Sequence, residues 1–466
     1  MLNVHNVFIS GIGGMGVSAL ARLFISRGAM VTGSDGVKSE ITEALEKQGV
    51  KIYYKQEAAN VSPDFDLFVY SAAVPADNPE RQKAKELKIL QKSYFEVLGE
   101  VSREFKTIAV SGTNGKSTTT AMIASILIDA GVDPTVIVGS QCAKLEGNFH
   151  AGKSDLFVVE ACEYRAHMLL LKPQTIVLTN IEEDHLDFYK DLNHIIQTFQ
   201  QYVNGLRAAD DLLVYNSDDV NIRTLKWPKC KRVSYGLIPG ANVCAENVRK
   251  LPGKQMFDVI YYGQNIGEFE LNVPGNFNIY NALAAIAFCL TLNVPIGKVK
   301  QSLREYRGIW RRFEIIRNDN IALISDYAHH PTAVDGTLRA AREFIPGRRI
   351  VAVFQPHQKD RTKKLFNDFV KSFSAADVVV LSEIYDVAGR EDDAMKISSD
   401  DLAKAMKAQD PKKQIYFTGD LDNTVIEVKK LMKDEDVVIV MGAGDVYNIM
   451  KQILMWGGES GDKGDN

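Results

Sequence analysis

The chain has 466 residues, which at about 150 residues per domain predicts about three domains. Its 55 lysines and arginines stand against 59 aspartates and glutamates, so the formal net charge is −4. A chain without positive excess is not expected to bind nucleic acid or an anionic membrane surface. The five cysteines are odd in number and form no C-x-x-C pair, which excludes a disulfide framework and a thiolate zinc site and favours a cytoplasmic location.

Apolar runs long enough to span a membrane are missing from the sequence, so no membrane insertion is expected. Residues 1–11 are expected to begin the first strand rather than to form a signal peptide. Short runs rich in Val, Ile and Leu then alternate with segments of helical period, which predicts an α/β fold with parallel sheets covered on both faces. Strands are predicted at Val7–Ser10, Ala29–Gly33, Phe65–Val69, Thr107–Val110, Leu156–Val159, Thr175–Leu178, Ile321–Ile324, Ile350–Phe354, Val378–Leu381 and Val437–Val440. Helices are predicted at Val17–Arg27, Ser117–Ala130, Ile279–Leu292 and Thr332–Phe344.

The strand–loop–helix pattern restarts twice along the chain, which predicts domains at 1–102, 103–314 and 315–466. Residues 228–272 are rich in turns and β-formers, and we expect them to add strands, antiparallel ones among them, to the middle domain. The last ten residues, 457–466, are polar and glycine-rich and are expected to be disordered.

A glycine-rich loop follows the first predicted strand and opens the first predicted helix. Gly11, Gly13, Gly14 and Gly16 let the backbone approach a diphosphate, and the helix N-terminus supplies oriented N–H donors. Asp35 follows the second strand, where a carboxylate can accept from a ribose hydroxyl. The pattern favours a nucleotide with a diphosphate, and NAD is one such nucleotide. A tight turn without a ligand is the competing interpretation.

A second loop, Gly112–Thr118, lies between a strand and a helix and ends in the G-K-S-T pattern of a phosphate loop. It is a shortened variant, because Val110 stands where the longer form has its first glycine. In such a loop Lys116 neutralises phosphate and the Ser117 hydroxyl binds Mg²⁺. A lysine at a helix N-terminus opposes the helix dipole unless an anion lies beside it. The loop is therefore predicted to bind a nucleotide phosphate.

Carboxylates and a histidine follow the next two strands. Glu160 ends one strand, and His185 lies in the acidic run after the following strand. Carboxyl ends of parallel strands share one edge of the sheet, so both side chains should face the phosphate loop. Carboxylate and imidazole ligands there suit Mg²⁺ or Mn²⁺. Three neighbouring acids fit a helix cap or a solvated loop better than a metal site: Glu182, Glu183 and Asp187.

Several motifs in one consistent order resemble those of the Mur ligases, ATP-dependent amide-forming enzymes of peptidoglycan precursor synthesis and hence of cell shape and division. The matching segments are Gly112–Thr118, Glu160, Thr179–Asp187, Asn278–Asn281, Arg311–Glu314 and Asp326–Thr332. The resemblance implies a Rossmann-like N-terminal domain that binds a UDP-sugar, a central ATPase domain whose parallel sheet carries added β-strands, and a Rossmann-like C-terminal domain. It also reassigns the first glycine loop from NAD to UDP.

The resemblance implies a role for individual residues as well. The UDP-sugar residues would be Gly11, Gly13, Gly14, Gly16, Asp35 and Ser71. The ATP-binding residues would be Gly112, Thr113, Asn114, Gly115, Lys116, Ser117, Thr118, Asn278, Asn281, Arg312 and Asp326. Ser117 and Glu160 would bind one Mg²⁺ and His185 a second, while His329, His330, His357 and Arg361 would lie near an amino-acid substrate. The catalytic residues would be Lys116, His185, Arg312 and His330.

Within that family the chain is most similar to the member that joins L-alanine to the lactyl carboxylate of UDP-N-acetylmuramate through an acyl phosphate. Its hallmarks are Gly11–Gly16, Phe354–His357 and Gly442–Asp445. The Glu160–Tyr164 segment keeps open the member that adds a recovered tripeptide to the same nucleotide sugar. Two further hypotheses are an NAD-dependent oxidoreductase and a non-catalytic nucleotide-binding protein. The sequence leaves the oligomeric state open between monomer and dimer.

Some positions depart from the family pattern or have a plain structural interpretation. Asn114 replaces a usual histidine, and Cys162, Tyr164 and Arg165 replace residues of an acidic motif. Residues 197–206 contain no lysine, so the carbamylated lysine of sister ligases is not expected. Three residues are also candidates for helix caps: Asn278, Asn281 and Thr332.

Overall fold

The computed structural model describes residues 4–386 and 397–455. The tail at 457–466, predicted to be disordered, lies outside the described residues. The strands are β1 Asn6–Ser10, β2 Met30–Ser34, β3 Lys51–Tyr53, β4 Leu67–Tyr70, β5 Leu90–Ser93, β6 Lys106–Ser111, β7 Thr135–Cys142, β8 Gly147–His150, β9 Leu156–Ala161, β10 Thr175–Leu178, β11 Leu212–Asn216, β12 Lys231–Gly236, β13 Val243–Leu251, β14 Lys254–Tyr261, β15 Gln264–Leu271, β16 Glu314–Asn318, β17 Ala322–Asp326, β18 Ile350–Phe354, β19 Val378–Ser382, β20 Gln414–Gly419 and β21 Val437–Met441. The helices are α1 Met15–Ser26, α2 Glu40–Lys47, α3 Pro79–Glu86, α4 Tyr94–Val101, α5 Lys116–Asp129, α6 Leu192–Val203, α7 Asn276–Thr291, α8 Ile296–Glu305, α9 Pro331–Phe344, α10 Lys359–Lys364, α11 Phe366–Lys371, α12 Ser399–Gln409, α13 Leu421–Leu431 and α14 Ile449–Leu454.

The N-terminal sheet is parallel, with strand order β3-β2-β1-β4-β5. Val7, Phe8 and Ile9 of the central strand are fully buried, as expected for a strand covered on both faces. The direction of winding reverses between β1 and β4, and ligands of such sheets bind beyond the strand ends at that point. The first glycine loop follows β1 and therefore lies there.

The middle sheet has ten strands in the order β15-β14-β13-β12-β11-β10-β6-β9-β7-β8. Its centre is parallel, with β6 between β10 and β9, so the phosphate loop after β6 lies between the ends of the strands that carry the two acidic motifs. The strands predicted at 228–272 are confirmed as β12 to β15. The two-residue connections from β13 to β14 and from β14 to β15 require antiparallel pairing.

The C-terminal sheet has the order β16-β17-β21-β18-β19-β20, and only its edge strand β16 is antiparallel. All residues of β17, β18, β19 and β21 are buried. Separate apolar clusters cover the two faces of this sheet. The predicted α/β fold with three sheet domains is thus confirmed, while the boundaries at 102 and 314 stay predictions.

The described chain divides into two compact units. Among the described residues, the first comprises 4–246, 259–267 and 280–303, and one apolar core runs through its N-terminal and middle parts. The second comprises 247–258, 268–279, 304–386 and 397–455. In the described part of the chain, no helix combines the length and the apolar character needed to cross a bilayer.

The predicted strands and helices are confirmed with end shifts of a few residues, whereas the three capping interpretations are wrong. Thr332 was a candidate cap, but α9 begins at Pro331 and His330 is its N-cap. Proline favours the first helical position because it has no N–H to leave unpaired there. Asn278 and Asn281 are not caps either, since α7 begins at Asn276 and both lie inside it.

Candidate active site

The phosphate loop between β6 and α5 depends on two glycines with left-handed backbone. Gly112 has φ +137° and Gly115 has φ +83°. A Cβ atom at Gly112 would lie 2.9 Å from the Asn180 carbonyl oxygen and would also clash with the Thr179 hydroxyl. The loop therefore folds tightly against the segment that follows β10, and only glycine fits at this position.

Hydrogen bonds from the segment after β10 hold the loop in place. The Asn114 amide donates to Asn180 Oδ1 at 2.8 Å, and Asn180 Nδ2 donates back to the Asn114 carbonyl at 3.0 Å. The Thr179 hydroxyl donates to the same carbonyl at 2.6 Å. The Asn114 side chain, which replaces the usual histidine, donates to Glu182 at 3.3 Å. Glu182 thus supports the loop, and the Asn114 departure is accommodated by a side-chain hydrogen bond.

Lys116 at the start of α5 turns back onto its own loop. Its ammonium lies 2.7 Å from the Gly112 carbonyl, 2.9 Å from the Thr113 carbonyl and 2.8 Å from Glu163 Oε2. Burial lowers the pKa of Lys116, but the neighbouring acids, Glu163 first and Glu160 with it, together outweigh burial, so the net pKa is raised and the side chain stays cationic. The anion that the sequence requires beside this lysine is supplied by the protein itself.

Glu163 joins the lysine to the histidine of the next motif. It is 4% exposed, and its Oε1 lies 3.3 Å from His185 Nε2. Burial raises the pKa of Glu163, but the nearby Lys116 and His185 together lower it by more. The net pKa is lowered, so the group is a carboxylate. Sequence reasoning gave Glu163 no role, although it stands three residues after Glu160 at the same strand end. The signal that could have identified Glu163 is a second carboxylate at the sheet edge that β9 shares with the phosphate loop.

Ser117 and Glu160, both predicted metal ligands, are brought together. The Ser117 hydroxyl donates to Glu160 Oε2 at 3.1 Å, and the Gly139 amide donates to Glu160 Oε1. A hydroxyl and a carboxylate oxygen fit Mg²⁺ when waters and phosphate oxygens complete the shell. Among the described residues there is no group of three or more His, Cys, Asp or Glu arranged to hold a metal. His185 pairs with Glu163 instead.

The residues that depart from the usual acidic motif lie in the segment that follows β9. Burial raises the pKa of the Cys162 thiol to about 12, so it stays protonated and does not act as a metal thiolate. The Tyr164 hydroxyl donates to Asp187 Oδ2 at 2.9 Å, and its ring lies 4.8 Å from the His185 ring. Arg165 has left-handed φ of +50°. The substitutions therefore shape the segment next to His185.

The first glycine loop is held by Asp35. The Gly13 amide donates to Asp35 Oδ2 at 2.8 Å, and the Val37 amide donates to Asp35 Oδ1 at 3.1 Å. Ser71 lies at the same loop, because a Cβ at Gly11 would be 2.8 Å from the Ser71 Cβ. The predicted UDP-sugar residues are thus brought together, with Asp35 fixing the loop backbone.

Helix α4 connects this loop to the middle domain inside the first unit. A Cβ at Gly16 would lie 2.7 Å from the Tyr94 hydroxyl, so the tyrosine packs against the start of α1. Burial raises the pKa of Tyr94, and the negative charge of Glu160 adds to that rise. The neighbouring Phe95 stacks on His167 with ring centroids 3.6 Å apart. Sequence reasoning missed both contacts, because no local pattern marks them.

Two of the residues expected to bind ATP, Asn278 and Asn281, lie in α7. Asn281 is 5% exposed, accepts a hydrogen bond from the Thr119 hydroxyl at 3.2 Å and would clash with a Cβ at Gly115. It therefore packs against the phosphate loop. Asn278, in the second unit, donates to the Pro274 carbonyl at 2.7 Å and anchors the helix start.

In the second unit, Asp326 and two arginines gather at the end of β17. Asp326 is 8% exposed and accepts from the Phe313 amide at 2.6 Å and the Ala328 amide at 2.7 Å. Burial raises its pKa. The Arg312 guanidinium lies 4.6 Å from the Tyr327 ring centroid. Arg311 bonds the carbonyl of Gly444 at 3.3 Å and also that of Gly442, so it fixes the loop after β21.

Three of the four predicted amino-acid residues form an aromatic and basic cluster in the second unit. The ring centroids of His329 and His357 lie 5.9 Å apart, and Arg361 Nη1 lies 3.2 Å from His357 Nδ1. Tyr385, which sequence reasoning missed, stacks on His357 with centroids 5.6 Å apart. His330 stands at the N-terminus of α9 directly after His329. The cluster offers a cation and imidazoles for a small zwitterion.

Known proteins resemble this chain over nearly its whole length. Residues 5–106 match the profile of the Mur ligase family catalytic domain, 110–289 the Mur ligase middle domain, and 311–444 the Mur ligase glutamate ligase domain. The chain is 41% identical to UDP-N-acetylmuramate–L-alanine ligase of Clostridium novyi over 456 residues, 97% of this chain and 98% of that protein. A protein of the same name from Caldanaerobacter subterraneus is 39% identical over 95% of this chain and 96% of that protein.

Solved structures show the same likeness. UDP-N-acetylmuramate–alanine ligase of Thermotoga maritima has a TM-score of 0.82 and 31% identity, covering 97% of this chain and 99% of that one. A murein peptide ligase of Psychrobacter arcticus shares the fold, with a TM-score of 0.71 and 24% identity over 98% and 99% of the two chains. The phosphate loop, the acidic motifs and the paired arginines all lie within the matched segments. The chain therefore belongs to the Mur ligase family.

Proposed function

We propose that this chain is an ATP-dependent ligase that joins L-alanine to the lactyl carboxylate of UDP-N-acetylmuramate. The observation that carries the proposal is the near-complete coverage by relatives of that activity at 41% and 39% identity. The phosphate loop with Lys116, Ser117 and Glu160 fits the ATP requirement, and it leaves the NAD-dependent oxidoreductase and the non-catalytic protein without support.

The first step is phosphoryl transfer to the substrate carboxylate. A lactyl carboxylate oxygen attacks the γ-phosphorus of ATP, the bond to the β,γ-bridging oxygen breaks, and ADP leaves. The products are an acyl phosphate and ADP. Lys116 neutralises the developing phosphate charge, and the loop amides orient the chain of phosphates. Mg²⁺ held by Ser117 and Glu160 would supply further charge neutralisation to the phosphates.

The second step forms the amide. The neutral amine of L-alanine attacks the acyl carbon, the carbon–oxygen bond to phosphate breaks, and inorganic phosphate leaves. Arg361 offers a cation for the carboxylate of alanine, and the His329 and His357 rings line the same cluster. His185 and His330 are the candidate acceptors of the amine proton.

The first glycine loop fits the diphosphate of the nucleotide sugar. Its strand-to-helix turn after β1 leads into the N-terminus of α1, whose N–H groups favour an anion, and Asp35 keeps the loop backbone in place by accepting from the Gly13 amide. Arg312 and Asp326, which lie in the second unit, are proposed nucleotide-binding residues. The cytoplasmic location stays a prediction from the sequence. The oligomeric state stays open between monomer and dimer.

The test is ADP release with UDP-N-acetylmuramate while the acceptor is varied. We expect turnover with L-alanine, and much weaker turnover with glycine, L-serine or a murein tripeptide. Turnover with the tripeptide but not with L-alanine would overturn the proposal in favour of peptide recycling. Omission of UDP-N-acetylmuramate controls for uncoupled ATP hydrolysis.

A further inference from the structure

Every donor of the Lys116 ammonium already has an acceptor. An ammonium group has three N–H donors. In this structure they meet the Gly112 carbonyl, the Thr113 carbonyl and the Glu163 carboxylate, all within 2.9 Å. A phosphate oxygen can reach Lys116 only if one of these three partners gives way.

The partner that gives way is identified by mobility and charge. The two carbonyls belong to the loop backbone, which Asn180 and Thr179 hold by four hydrogen bonds from 2.6 to 3.0 Å. Glu163 is a side chain with rotatable bonds, and its negative charge would repel the γ-phosphate at such short range. Bound ATP therefore exchanges with the carboxylate and not with the carbonyls.

The released carboxylate has a second partner already in place. Glu163 Oε1 lies 3.3 Å from His185 Nε2, and the Tyr189 hydroxyl donates to the Glu163 carbonyl, which fixes the backbone. Asp184 Oδ2 lies 3.9 Å from the same imidazole nitrogen and is another acid that faces it. A carboxylate freed from Lys116 can accept from the single Nε2–H of His185 and hold the imidazole in one orientation.

We propose that Glu163 is a positioning residue that occupies the phosphate partner site of Lys116 in the nucleotide-free enzyme and, once ATP displaces it, orients His185. The inference rests on the proposed ATP-dependent function. It assigns Glu163 two effects of opposite sign, because the carboxylate weakens nucleotide binding and strengthens the subsequent reaction.

The test compares Glu163→Gln with the matched control Glu183→Gln, which removes the same charge from an exposed position in the neighbouring motif. Binding of a non-hydrolysable ATP analogue is measured by calorimetry without the other substrates, together with binding of adenosine, which has no phosphate to reach Lys116. We expect Glu163→Gln to bind the analogue about tenfold more tightly, the effect of one charge-assisted hydrogen bond. Adenosine binding should be unchanged, and the control should match the wild type in both.

Steady-state kinetics supply the second half of the test. In Glu163→Gln, KM for ATP should fall while kcat falls about tenfold, because His185 loses its carboxylate. Analogue affinity equal to or weaker than that of the wild type, with adenosine binding retained, overturns the proposal. If the glutamine variant does not fold, Glu163→Asp decides the question: its retracted carboxylate predicts tighter analogue binding, and unchanged binding overturns the proposal. The binding measurement needs neither UDP-N-acetylmuramate nor L-alanine. A failure of this inference can therefore be distinguished from a failure of the proposed acceptor specificity.

Discussion

Two glycine loops in the first unit, both proposed to bind phosphates, are stabilised by different means. The loop after β1 contains no basic residue, and its backbone is fixed by a carboxylate, Asp35, bonded to the Gly13 amide. The loop after β6 carries Lys116, whose charge is balanced by Glu163. The first loop suits a diphosphate that stays intact, since oriented amides suffice to bind it. The second suits a phosphate group that is transferred, since charge must be neutralised as the bond breaks.

The contrast between the loops accounts for the proposed binding of two nucleotides by a chain with net charge −4. Each loop offers its phosphates local groups, and each loop has an internal carboxylate beside it. In the first loop the carboxylate is structural. In the second it competes with the proposed ligand. Variants that alter one loop at a time should therefore separate binding from chemistry.

The largest effect is expected from Lys116→Ala in the second loop. Loss of the cation that contacts the loop carbonyls at Gly112 and Thr113 should lower ADP release by at least about a thousandfold. The measurement is coupled ADP release at saturating substrates. Lys106→Ala, which removes an exposed lysine paired with Asp155, serves as the control and should retain activity. Full activity of Lys116→Ala would refute the role of the loop.

A backbone variant sharpens the same contrast. Gly112→Ala places a Cβ against Asn180 in a left-handed residue, so it should lower ADP release about a hundredfold and also reduce stability. Gly28→Ala in the N-terminal domain has φ +84° but open space around it, so only about 1–2 kcal/mol of backbone strain is expected. Urea unfolding and ADP release are measured for both. Equal activity losses in the two variants would show that the tight approach at Gly112 does not matter.

In the first loop, Asp35→Ala should affect binding more than chemistry. The Gly13 amide loses its acceptor, so the loop loosens and KM for UDP-N-acetylmuramate should rise about tenfold with kcat little changed. Asp35→Asn keeps one accepting oxygen and is the matched variant, with an expected KM near that of the wild type. A fall in kcat at unchanged KM would contradict the assignment of substrate binding to the first loop and of phosphoryl transfer to the second.

The smallest effect concerns the contact between the domains that carry the loops. Burial and the nearby Arg165 charge lower the pKa of His167 to about 4 from an ordinary value of 6.5. The unfolded chain therefore takes up the proton first, and this contribution to stability is lost as pH falls from about 6.5 to about 4. Urea midpoints at pH 7.5 and pH 5 should differ less in His167→Phe than in the wild type. An identical difference in both proteins would exclude His167 as the titrating group.

The sequence predicts the parts of the site that depend on local pattern. Strand ends at β6, β9 and β10 follow from apolar runs, and the rule that parallel strands share one carboxyl edge correctly brings Ser117 and Glu160 together. The same rule predicts acids near Lys116. It does not specify which carboxylate reaches the ammonium.

The contacts that sequence reasoning missed are long-range. Glu163 pairs with Lys116, Tyr94 packs on Gly16, and Tyr385 stacks on His357, each across many residues of chain. Periodicity predicts that a residue faces inward but not which side chain it meets there. The error at Thr332 is local, because Pro331 sets the backbone angle that starts α9.

Isotope transfer from the lactyl carboxylate tests the proposed reaction most directly. UDP-N-acetylmuramate labelled with ¹⁸O in that carboxylate is converted with ATP and L-alanine, and the inorganic phosphate is analysed by mass spectrometry. Attack of the carboxylate on the γ-phosphorus predicts one ¹⁸O atom in each phosphate released, with the second ¹⁸O retained in the amide. Unlabelled phosphate with full amide formation would contradict activation through an acyl phosphate.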